Sequence, residues 1–118
     1  MDLKKDKLQA LKAIEKIDKK AQELYDISAF DIKDAKIKAN DWYQEVIAVV
    51  KDLFYDSKEI IDSMNTIIMK EGRPTHGADI KKAFNIQTID LEQEKNSLIN
   101  KVKQIISFLF DAVNNSNN

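Results

Sequence analysis

At 118 residues, 43% hydrophobic and 33% charged, the chain has the material for one core and not for two. Its 19 basic side chains against 20 acidic ones, a net charge of −1, argue against a nucleic-acid binder that works by bulk phosphate neutralisation. The absence of cysteine excludes disulfides, thiolate metal ligands and a cysteine nucleophile, and favours the cytoplasm.

The start, Met1 to Lys7, has no apolar run after its charges and does not read as a signal peptide. The longest uninterrupted apolar stretch, Val46 to Val50, is far short of the roughly 20 residues a membrane span needs. Abundant Lys, Ile, Asp and Asn point to an AT-rich genome, that of a low-GC bacterium or its phage.

A first helix is expected from Asp2 to about Tyr25, with Leu8, Leu11, Ile14, Ile17, Ala21 and Leu24 forming one narrow stripe. Its lysine-rich first turn opposes the helix dipole, so that end should fray. Residues 26–30 read as a turn, with Ser28 and Asp31 as a capping arrangement, or Asp31 and Asp34 as the alternative start. The second helix carries the most persistent periodicity, from Ile32 through Ala35, Ala39, Trp42, Val46 and Val50 to Leu53 and Phe54. It should be the spine of the core, with a kink possible at Asn40-Asp41. Ser57 is the expected N-cap of a third helix presenting Ile60, Ile61, Met64, Ile67 and Ile68.

The only strong breakers follow. Both glycines, the one proline and the one histidine fall within Gly72-Arg73-Pro74-Thr75-His76-Gly77. A short helix is expected from Asp79 to about Asn85. Asp90 with Gln93 then fits a capping box ahead of a last helix in which Leu91, Leu98, Ile105 and Ala112 repeat at seven. The predicted fold is all-α, an antiparallel bundle of four to five helices in one domain over residues 1–113, with 114–118 a disordered polar tail.

Four features bear on function. Arg73 and His76 in the loop could hold an anion or transfer a proton, or simply face water in a helix-to-helix connection. Asp41, Glu45, Asp52, Asp56, Glu59 and Asp62 are opposed between them only by Lys51 and Lys58. With Asp41–Glu45 and Asp52–Asp56 each spaced by four, this is a docking surface for a basic partner or a solvated face. The lysines of the first helix are interspersed with acids and lack an aromatic anchor or stacking platform, which speaks against a membrane surface or single-stranded nucleic acid. Finally, Phe108 and Phe110 point to different faces and leave Ile105 to Phe110 apolar nearly all round. Either this helix is central in the bundle, or that face is buried against a partner or a second copy. No Glu-x-x-His pair and no calcium-type loop occurs, so no metal and no cofactor is expected.

The segment from Trp42 to Phe54, an aromatic pair opening an amphipathic helix, resembles a helical module that lies N-terminal to HEPN-like domains in prokaryotic proteins linked to host defence. A third helix over Met64 to Lys70, a basic loop and short helix over Arg73 to Phe84, and a long last helix over Leu91 to Phe110 follow in the same order. The HEPN ribonuclease motif places a histidine four to six residues after an arginine. Arg73 and His76 have two residues between them, so no catalytic residue is carried over. The resemblance implies an adaptor or scaffold. The expected function is a non-enzymatic protein–protein interaction module in a defence or counter-defence system, with Asp52, Asp56, Glu59, Phe108 and Phe110 as contact residues. The alternative is a small RNase using Arg73 and His76 across a dimer interface.

Overall fold

The computed structural model describes residues 2–69 and 87–116. Within them lie four helices: α1 (Lys7–Tyr25), α2 (Ile32–Leu53), α3 (Ser57–Met69) and α4 (Gln87–Asn114), with a 3-10 turn at Ala29–Asp31 between the first two. No helix is long and apolar enough to cross a membrane. The protein is an all-α antiparallel bundle, as the periodicity predicts. The short helix expected at Asp79–Asn85, the Gly72–Gly77 loop, and with it Arg73 and His76, lie outside the described residues.

Helix α1 begins at Lys7, five residues after the expected start at Asp2. The Asp6 carboxylate accepts the Gln9 N–H at 2.8 Å and caps the helix there. Ala10, Ile14, Ile17, Ala21 and Leu24 form the buried face, whereas Leu8, expected on the stripe, is 63% exposed. Ser28 caps the 3-10 turn by accepting the Phe30 N–H at 3.2 Å. Asp31 occupies the N-cap position of α2 without a side-chain capping bond, so the two candidate starts mark two successive elements.

Helix α2 runs unbroken through Asn40-Asp41 and buries Ile32, Ala35, Ala39, Trp42, Val46, Val50 and Leu53. The Trp42 indole N–H donates to the Ile17 carbonyl at 3.0 Å inside the core, which satisfies its one polar atom and fixes α1 against α2. The ion pairs Lys5–Asp52 (2.6 Å) and Lys20–Glu45 (2.8 Å) set the same antiparallel register at the surface. From α3, Ile60 and Met64 enter the core, while the Tyr43 hydroxyl joins α2 to α3 by donating to Asn65 Oδ1 at 2.6 Å.

Helix α4 touches each of the other three helices and the 3-10 turn. It therefore needs more than one apolar stripe, and Val102, Ile105, Ile106, Leu109, Ala112 and Val113 are all buried. This accounts for the apolar belt around Ile105–Phe110: Phe108 and Phe110 are partly buried against the core. Two expectations for this helix shift. It already includes Gln87, so Asp90 lies inside it rather than at its cap. It also continues past Val113: Asn114 is helical, and buried Ser116 donates its hydroxyl to the Ala112 carbonyl, so residues 114–116 are held against the helix end.

Two expectations follow. Ile14→Ala should cost about 2–5 kcal/mol, whereas Leu8→Ala should stay within about 0.5 kcal/mol, as read by urea denaturation. Burial also raises the Tyr43 phenol above its ordinary value; Tyr25 is raised likewise by burial, with a smaller push from Asp18. An acid with a raised folded-state value ionises first in the unfolded chain. The stability it contributes is present below about pH 10 and is lost as pH rises through the folded-state value. The urea midpoint should therefore fall above about pH 10, and the Tyr25→Phe/Tyr43→Phe double variant should flatten that fall.

Candidate functional site

Residues 2–5 do not join α1. They lie across the corner where α2 passes into α3, and the corner is shaped by one buried ring. Phe54 leaves the helix with φ −123° and ψ 138°, and its side chain is fully buried. That extended residue exposes a short strand edge, on which Leu3 forms an antiparallel bridge with Phe54. The Lys4 N–H donates to the Leu53 carbonyl at 2.6 Å, and the Tyr55 N–H donates to the Asp2 carbonyl at 3.0 Å.

Each residue of this strap meets a matching group. Leu3 is buried with the core. The Lys4 ammonium donates to the Lys51 carbonyl at 3.2 Å and stands 5.5 Å from the centre of the Tyr55 ring, within cation–π range. Lys5 pairs with Asp52, and the Asp2 N–H donates to Asp56 Oδ1 at 3.2 Å. Burying Leu3 contributes about 1.5–3 kcal/mol, and each backbone hydrogen bond about 1 kcal/mol net. Ordering four residues costs about 1–2 kcal/mol apiece, so the closed strap is near balance.

The predicted acidic residues divide accordingly. Asp52 is in the last turn of α2, Asp56 is in the connection beyond it, and both hold the strap. They do not share one helical face as their spacing of four suggests, because the helix ends at Leu53. Glu59, in the first turn of α3, is exposed. Phe108 and Phe110, on α4, are partly buried against the core. Tyr55, at the corner itself, is a large apolar side chain left 71% exposed.

The sequence reading missed the strap, although one signal for it was present. Asp6 and Gln9 have the same capping spacing as Asp90 and Gln93, and they place the start of α1 at Lys7, which frees residues 2–5 for another role.

A concavity of about 390 Å³, open to solvent, lies between α1 and α2. Trp42 forms part of its wall, and Lys20, Glu23, Lys38, Asp41 and Glu45 line it, with the Lys20–Glu45 pair among them. Its charges are mixed in sign, which gives no single class of charged ligand a preferred place. Among the described residues no group of three His, Asp or Glu side chains could hold a metal ion.

The chain matches no protein-family model, no curated protein and no solved structure.

Asp52→Asn should lower stability by no more than about 1 kcal/mol at low salt, because the pair it breaks is well exposed. The difference from the unmodified chain should vanish in concentrated salt, as measured by paired urea titrations.

Proposed function

We propose that the protein is a non-enzymatic helical interaction module, and that the acidic corner formed by Asp52, Asp56 and Glu59 is where a protein partner docks. What supports the reading is the segment already seated there. Leu3-Lys4-Lys5 combines one buried apolar side chain, two lysines against acidic and aromatic groups, and backbone pairing along a strand edge. A partner segment with an apolar residue followed by two basic ones satisfies the same groups. Backbone bonds would supply affinity irrespective of sequence, and the alternating side chains would supply selectivity. Unlike charges across the contact would speed encounter and set register. On the resemblance of the Trp42–Phe54 region, the setting is a bacterial or phage defence or counter-defence system, with the chain acting as an adaptor, inhibitor or antitoxin-like protein.

The test uses the full chain carrying Leu3→Asp, which disfavours the strap, and a fluorescein-labelled peptide of sequence Asp-Leu-Lys-Lys-Asp. Fluorescence anisotropy should show saturable binding, and adding Asp52→Lys should weaken it by about tenfold. A folded Leu3→Asp chain that does not bind the peptide rejects the docking site.

A further inference from the structure

We infer that residues 2–5 form an autoinhibitory strap, which opens while the four helices stay folded and which an apolar-Lys-Lys segment of a protein partner replaces. This rests on the docking reading above and adds its regulation: the closed chain is the non-binding state.

Three observations carry it. The strap and α1 are secured separately. The Asp6 carboxylate accepts the Gln9 N–H at 2.8 Å, a cap that involves none of residues 2–5. The groups that hold the strap are also suited to exchange. The Tyr55 N–H and Leu53 carbonyl are main-chain atoms and accept any extended segment, and the Lys5–Asp52 pair is exposed on both sides, at 45% and 61%. Finally, the gain from seating Leu3 and the loss from ordering its neighbours are comparable, so opening is local rather than global.

Competition between strap and partner then sets the apparent affinity. A site available only in the open fraction binds its partner more weakly by that fraction. The tethered strap also acts at a high effective concentration. A partner segment long enough to reach Glu59 as well gains a contact for which the strap residues show no counterpart.

The experiment compares the unmodified full chain with Leu3→Asp, using the same labelled peptide. The expected result is binding about twofold or more tighter to Leu3→Asp, because a strap near balance leaves about half of the sites covered. Equal affinity in two folded chains overturns the strap while leaving the docking reading intact, and no binding to either overturns both. Should Leu3→Asp lose its helical circular dichroism, amide hydrogen exchange on the unmodified chain decides. Faster exchange at Lys4 and Tyr55 than at Val46 and Val50 supports local opening; exchange of all four at one common rate overturns it.

Discussion

The burial of Phe54 is the constraint from which the rest of the architecture follows. A continuous helix through residue 54 would carry Tyr55 and Asp56 onward along the α2 axis. Instead the Phe54 N–H still donates to the Val50 carbonyl at 3.0 Å, while its own torsions are extended and its ring is fully buried. The helix therefore ends, and α3 starts at Ser57 running back along α2. The same extended residue leaves one main-chain donor and one acceptor facing outward. Residues 2–5 supply partners for both, and their Leu3 joins the hydrophobic cluster that contains Phe54.

The opposite side of the bundle depends on α4. Lys103 stands 5.2 Å from the centre of the Tyr25 ring, at the end of α1. C-terminal to that level, α4 buries Ile105, Ile106, Leu109, Ala112 and Val113. N-terminal to it, no residue from 91 to 101 is fully buried. The seven-residue repeat of Leu91, Leu98, Ile105 and Ala112 is thus uniform in sequence and uneven in burial. Its meaning changes along the helix with the number of neighbours. The Lys36–Glu94 pair, 3.4 Å and half exposed, ties the less buried end to α2.

Helical periodicity made the fold legible because amphipathic spacing reports which residues face a core. Ile32, Ala35, Ala39, Trp42, Val46, Val50 and Leu53 in α2 and Ile60 with Met64 in α3 are buried as their spacing implies. Less legible were features governed by single hydrogen bonds. Leu3 and Leu8 look alike in the sequence, both leucines among charges, yet Leu3 is 7% exposed and Leu8 63%. The difference is set by Asp6, whose cap starts the helix between them, and by a corner 50 residues away that no local pattern reveals. The candidate site was half legible for the same reason. Asp52, Asp56 and Glu59 stand out as a run of acids, but their relation to Lys4 and Lys5 is tertiary. Phe108 and Phe110 were ambiguous between core and surface until the position of α4 among all three helices was known.

Charge explains why a corner of this kind suits reversible contact better than permanent structure. The lysines and acids that meet there are largely solvent-exposed, so their attraction is screened and individually worth little. The apolar contribution comes mainly from one leucine, and the backbone pairing spans one bridge. The helices, by contrast, are locked by a contiguous cluster in which Ile14, Val46, Val50, Ile60, Met64, Leu109 and Val113 are each fully buried. Disturbing the strap removes a small share of that burial, whereas disturbing any helix pair opens the shared core. A chain built this way can exchange the segment on its acidic corner without giving up its fold, and its net charge of −1 leaves selectivity to the local arrangement of Asp52, Asp56, Glu59 and Tyr55.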